Sequence, residues 1–157
     1  MPWYAIQHKP AQGERAVENL QAQEACCFYP KITVERVVRG KRTQRLEPLF
    51  PGYLFINLEP GDPLWGKLRS TRGVLRVIGF GGKSAVVDDD IIADIRAGLE
   101  AVTERGGLKE GQKIEIRNGP FRGVDAIFQA YDGEERAILL ISLLNREQKV
   151  GVPLSDL

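Results

Sequence analysis

The stretch "RAILLISLLNREQ", Arg136 to Gln148, decides how the last third of the chain folds, and it reads two ways. From Ala137 to Leu144 every residue except Ser142 is apolar, so a strand period of two and a helix period of ~3.6 fit equally well. Its Leu, Ala, Arg, Glu and Gln content favours helix on intrinsic preference. The Gly-rich run upstream instead reads as the start of a small β-barrel. Asn118-Gly119 and Asp132-Gly133 are turn signals flanked by alternating apolar residues, which predicts short antiparallel strands. "KVGVPLSDL", with Val150, Val152 and Pro153, reads as a closing strand, so a helix over this stretch is expected to stop near Lys149.

Working back toward the N-terminus, "AVTERGGLKEG" has little periodicity and several glycines, so residues 101–109 read as a linker between a domain at 1–100 and a smaller one at 110–157. "DDDIIADIRAGLE" predicts a helix, with Asp88 to Asp90 at its positive end and Ile91, Ile92, Ile95 and Leu99 as its apolar stripe. "AQGERAVENLQAQ" predicts another, with Ala16, Val17 and Leu20 facing inward. "WYAIQHK", "CFYP", "ITVERVV", "QRLEPLF", "PGYLFINL" and "GVLRVIGF" read as strands, "RGKRT" turns the chain at Gly40, and "PLWGKLRS" is a short helix. Strands mixed with two helices on one side predict an α+β sandwich.

The 157 residues suffice for one ordinary domain or two small ones. No apolar run approaches the ~18 residues of a membrane span, and the first ten residues lack a signal-peptide pattern, so a cytoplasmic protein is expected. The net charge of +1 hides two basic blocks. Lys31 to Arg45 holds six basic residues and one acid, and Lys67 to Lys83 holds five and none. Such clusters suit phosphate contacts, although a solvated Arg-rich hairpin would carry the same composition.

Catalytic constellations are missing from the sequence. The single histidine, His8, has no nucleophile motif near it and is expected to be structural or at the surface. Adjacent Cys26 and Cys27 are poorly spaced for a metal site and are expected at a buried or half-buried strand start. Asp88 to Asp90 point in different directions from a helix start, which suits capping rather than metal binding. "GFGGK", Gly79 to Lys83, is shorter than a phosphate loop and reads as a turn. A binding module without metal or cofactor is expected, not an enzyme.

Four motifs place the chain more narrowly. With "VRGKRT", "EPLFPGYLF" and "STRGV" in the first hundred residues and "GPFRG" at Gly119 to Gly123, the sequence resembles the NusG family of transcription elongation factors over nearly its full length. Within that family it looks most like the operon-specific RfaH branch. The resemblance implies a NusG-type N-terminal domain with a mainly antiparallel sheet. It also implies a C-terminal KOW domain that is either an α-helical hairpin masking the polymerase-binding surface or, after release, a five-stranded β-barrel. The implied partners are the clamp helices of bacterial RNA polymerase, the non-template DNA strand at an ops-like element, and a small-subunit ribosomal protein that meets the β-form. The implied state is a monomer, with no membrane involved.

By position, the resemblance assigns polymerase contact to Phe50, Pro51 and Tyr53, where rigid aromatic area and a proline suit docking. It assigns DNA contact to Lys9, Arg15, Gln23, Thr71 and Arg72, to which the basic turn adds Arg39, Lys41 and Arg42. Asn19 stands where the branch has a DNA-contacting histidine, which bears on sequence preference. Leu64 to Lys67 replaces a His-and-Thr run, so the gate-loop contact of the polymerase is expected to be weaker or differently made. An interdomain ion pair falls on Glu47 and Arg136, with Phe128, Leu140, Leu143 and Leu144 expected to cover Phe50 and Tyr53 in the helical form. A general NusG factor without ops recognition, and a KOW-containing RNA-binding or ribosome-associated protein, are the competing readings.

Overall fold

A computed structural model describes residues 1–110 and 122–150. The Asn118-Gly119 turn, most of "GPFRG" and the closing strand at Val152 and Pro153 lie outside these residues. In chain order the elements are β1 (Trp3–His8), α1 (Gly13–Gln21), β2 (Cys26–Phe28), β3 (Lys31–Val38), β4 (Lys41–Pro48) and β5 (Tyr53–Asn57). A single 3-10 turn (Pro63–Lys67) is followed by β6 (Val74–Val77), β7 (Gly79–Phe80), β8 (Lys83–Ser84) and β9 (Val86–Val87). Three helices close the described chain: α2 (Asp89–Glu104), α3 (Arg122–Gln129) and α4 (Gly133–Val150). It is a mixed α/β fold with antiparallel sheets. The described residues divide into two compact units, one of residues 1–29, 52–89 and 144–150, the other of residues 30–51, 90–110 and 122–143.

In the first unit the sheet runs β2-β5-β1-β6, with β9 also pairing β1, and every pair is antiparallel. Residues Tyr4 to Ile6 of β1 and Leu54 to Ile56 of β5 are buried in succession. A strand buried along its length needs this continuous apolar run in place of alternation. Helix α1 contributes Ala16 and Leu20 to the core that holds Tyr4, Ile6, Leu54 and Ile56, with Val17 at its margin. The expected strand "GVLRVIGF" is interrupted at Ile78, whose amide donates to Ala5 O while β7 turns back to pair β8. Cys27 is half-buried in β2 as expected, but Cys26, the first residue of this edge strand, is exposed.

The second unit is built on the β3–β4 hairpin, paired in register from Lys31↔Pro48 to Val38↔Lys41. Helix α2 departs from expectation at its end. Its inner stripe is Ile91, Ile95, Gly98 and Val102, with Leu99 only half-buried, and the helix continues to Glu104 through residues that read as linker. It stops in a Schellman turn: Gly107 N–H donates to Val102 O at 2.9 Å and Gly106 N–H to Thr103 O at 3.1 Å. Gly106, with φ of +81°, takes the left-handed position that such a stop requires.

The ambiguous stretch is helical. In α4 the buried residues are Arg136, Ala137, Leu140, Leu143 and Leu144, a spacing that only a period of ~3.6 produces, while Ile138 and Ser142 are exposed. Asp132 starts the helix by accepting the Glu134 amide at 3.1 Å, and Glu134 and Glu135 occupy the positive end of the dipole. Asp132-Gly133 is therefore a turn between two helices in this form and not between two barrel strands. In α3, Val124, Ile127 and Phe128 share the buried face.

Candidate functional site

The most constrained group in the second unit is the guanidinium of Arg136. It is fully buried, which is rare for arginine and demands partners for all five N–H donors. They are present. Nε donates to Leu49 O at 2.8 Å, Nη1 to Tyr131 O at 2.7 Å and Ala130 O at 3.1 Å, and Nη2 to Glu47 Oε1 at 3.0 Å and Pro48 O at 3.4 Å. One side chain thus closes the end of α3 and pins α4 to the end of β4. Glu47 is shared, since its other oxygen accepts from Arg36 Nη2 at 3.0 Å. That hydrogen bond, with the carboxylate charge, raises the already high pKa of Arg36 further. Arg36 also lies over the Tyr131 ring, 5.5 Å from its centroid, and the Tyr131 hydroxyl donates to Glu35 O at 2.8 Å.

Two glycines, Gly98 and the Gly133 of the Asp132-Gly133 turn, are contact points here. A Cβ on Gly98 of α2 would run into the Phe128 ring of α3, and one on Gly133 would lie 2.8 Å from Pro51 Cγ. The start of α4 therefore rests on Pro51. Phe50 is buried, as are Phe128, Leu140, Leu143 and Leu144. Tyr53, at the start of β5, is half-buried, and Pro51 keeps an exposed face. In this form Phe50 is not available as a surface contact.

Residues expected to touch DNA fall into two groups on separate units. In the first unit, Arg15 and Asn19 of α1 and Gln23, in the turn just after it, follow one another at four-residue spacing. Asn19 Nδ2 donates to Arg15 O at 2.7 Å, and Gln23 Nε2 to Asn19 O at 3.1 Å and Thr71 Oγ1 at 3.0 Å. Lys9 N–H donates to Gly73 O at 2.8 Å, which brings Lys9 and the Thr71–Gly73 turn to the same corner. Gly73 must be glycine: its φ is +89°, and a Cβ would approach Ala16 N to 2.7 Å. Lys9, Arg15, Gln23 and Arg72 are exposed. Thr71 is buried and its hydroxyl is occupied, donating to Lys67 O at 2.9 Å while accepting from Gln23. It positions Gln23 and presents no surface of its own. Arg39, Lys41 and Arg42 form the second group, exposed at the β3–β4 turn, with Arg42 paired to Glu35 at 3.8 Å.

His8 is buried in β1, edge-on to Tyr29 at 5.8 Å. Its Nδ1 lies 2.8 Å from Lys9 O, which can only accept, so Nδ1 carries a proton, and among the described residues Nε2 has no hydrogen-bond partner. Burial, with a smaller contribution from Cys26, pushes the Cys27 thiol up to about 11. Among the described residues no group of His, Cys, Asp and Glu is placed to hold a metal ion, and no helix is long and apolar enough to cross a membrane.

Comparison with known proteins adds identity to this geometry. Residues 1–96 match the family of the transcription termination factor NusG. The transcription termination/antitermination protein NusG of Helicobacter pylori strain J99 is 29% identical over 171 residues, covering 97% of this chain and 94% of that protein. The protein of the same description from Thermus thermophilus is 27% identical over 176 residues, covering 98% and 96%. A solved structure, "Domain interaction in Thermotoga maritima NusG", aligns with 74% of this chain and 66% of that one at 20% identity and a TM-score of 0.41. The chain belongs to the NusG family and is a NusG-like transcription termination/antitermination factor.

Proposed function

We propose that the chain acts in the cytoplasm as a monomeric, non-enzymatic elongation and antitermination factor of the RfaH type. It binds the clamp helices of RNA polymerase through Phe50, Pro51 and Tyr53 and is kept closed by its own C-terminal helices. The single observation that supports this reading is the seat of α4. Gly133 rests on Pro51, and the buried Arg136 holds Glu47 and the carbonyls of Pro48 and Leu49, immediately before the segment assigned to polymerase. Release would free that segment and let residues 110–157, the KOW-type domain, form the β-barrel that recruits a small-subunit ribosomal protein. Recruitment occurs at an ops-like element in the non-template strand, contacted from Lys9, Arg15, Asn19, Gln23 and Arg72.

A second reading, a general NusG-like factor that binds polymerase without sequence-specific recruitment, is favoured by the nearly full-length similarity to NusG proteins and by Asn19 in α1. Recruitment to elongation complexes with and without an ops-like element separates the two. A preference that Arg72→Ala abolishes is the expected result. Equal recruitment on both templates hands the case to the general factor, and no loss of polymerase affinity with Tyr53→Ala removes both.

A further inference from the structure

We infer that residues 106–109, which follow α2, are not a free tether but a second latch, a strand-like clasp on β3 that opens separately from the Arg136 anchor. This rests on the masked form described above. The Schellman turn ending α2 redirects the chain along the edge of β3 that β4 leaves unpaired. There Leu108 N–H donates to Thr33 O at 2.7 Å, Glu35 N–H donates to Leu108 O at 2.8 Å, and Leu108 forms a parallel bridge with Val34. Leu108 is buried to 1% exposure, so the clasp has an apolar tooth as well as backbone bonds. Gln44 reaches across from β4 to donate to Gly106 O, and Lys109 pairs with the Glu35 carboxylate at 3.7 Å.

The clasp and the α3–α4 turn hold neighbouring groups of one residue. Glu35 gives its N–H to Leu108, its carboxylate to Lys109 and its carbonyl to the Tyr131 hydroxyl. Among the described residues, neither backbone hydrogen bond of Leu108 involves α3 or α4, and none of the five acceptors of Arg136 belongs to the clasp. Each latch can therefore open while the other stays shut. A closed clasp keeps undocked helices near their seat and raises the effective concentration for re-docking. Gly107 is the position to attack: its φ is +112°, and a Cβ there would lie 3.1 Å from Thr33 O.

The test is amide hydrogen exchange by NMR on the full chain and on Gly107→Val, Leu108→Ser and Glu47→Ala. In the unsubstituted protein the amides of Leu108 and Glu35 are expected to be protected. Gly107→Val and Leu108→Ser should each accelerate both at least tenfold while the α4 amides from Arg136 to Leu143 change less. Glu47→Ala should do the reverse, and unchanged chemical shifts in β1 and β5 show that each variant folds. Free-peptide exchange at Leu108 and Glu35 in the unsubstituted protein overturns the clasp. Parallel acceleration of both regions in every variant overturns the second latch, because one opening then serves both. Protected Leu108 and Glu35 amides beside unprotected α4 amides uphold the clasp and sink the masked form instead.

Discussion

Glu47→Ala should open the C-terminal helices far more than its single ion pair would suggest at a surface. An exposed salt bridge contributes ~0–1 kcal/mol. Here Arg136 is fully buried and Glu47 keeps only 18% of its side-chain accessibility, so removing the carboxylate leaves a buried guanidinium charge without its counter-ion. Breaking a buried pair from one side costs ~3–5 kcal/mol. At ~1.4 kcal/mol per decade, the undocked population rises between about 10² and 10⁴-fold. Arg36→Ala, which strips the same carboxylate of its more exposed partner at 40% side-chain accessibility, should cost no more than about 1 kcal/mol. Arg136→Lys should not rescue, because an ammonium has three donors and no planar fork to span Leu49 O, Ala130 O, Tyr131 O and Glu47 together. Hydrogen exchange of the α4 amides reads the docking equilibrium directly, and polymerase affinity should rise with opening. If Glu47→Ala changes exchange by less than about threefold, or Arg36→Ala matches it, the reasoning from burial fails.

Gly98→Ala gains ~1 kcal/mol of helix preference yet should lower the melting temperature, since the added methyl meets the Phe128 ring and overpacking costs ~1–3 kcal/mol. Phe128→Ala should abolish the penalty in a double-mutant cycle. At pH 8 iodoacetamide should label Cys26 well before Cys27: a rise from 9.0 to about 11 cuts the Cys27 thiolate by about 100-fold. Because the folded pKa is the higher, the stability tied to the neutral Cys27 thiol is complete below pH 9 and is lost as pH rises through about 11, visible as a falling denaturation midpoint. Each of Lys9→Ala, Arg15→Ala and Arg72→Ala should reduce the salt slope of single-stranded DNA binding by about 0.7. Thr71→Val should leave that slope unchanged while costing ~1 kcal/mol of stability through the lost Gln23 bond.

What the sequence makes legible here is local. β1 and β5 declare themselves by apolar runs bounded by Pro and Gly, and α1 by the spacing of Ala16 and Leu20, because each needs only its own neighbours to be read. The end of α2 was hidden for the opposite reason. "RGGLK" has the composition of a tether, yet its first glycine is a helix stop and its leucine is buried against β3, a strand some seventy positions earlier. Thr71 illustrates the same limit within the candidate site. Its residue type suits a nucleic-acid contact, but the partners that occupy it, Gln23 and Lys67, are fixed by how α1 meets the turn before β6. Gly98 carried no signal at all and Gly133 read only as half of a turn, since a glycine needed for a neighbour's ring or proline is indistinguishable in sequence from one that is merely tolerated.

The two readings of Arg136 to Gln148 are separated less by the leucines than by the arginine that begins the stretch. Leucines at these positions can be buried with either period, but a guanidinium can be buried only where five acceptors converge. Two of them, Ala130 O and Tyr131 O, exist in this arrangement only when α3 ends and α4 begins beside it; three, from Glu47, Pro48 and Leu49, exist only when the helices are docked. Helix pairing and docking are thus coupled through one side chain, and neither is expected to survive alone. A fragment from Leu108 to Leu157 lacks Glu47, Pro48 and Leu49, so Arg136 must return to water and the apolar stripe of α4 loses its cover. Its backbone chemical shifts over Ala137 to Leu144 are expected to move from helical to strand values, while the intact chain keeps helical ones. A fragment that stays as helical as the intact chain would mean that local preference holds α4, and that Arg136 follows the fold instead of selecting it.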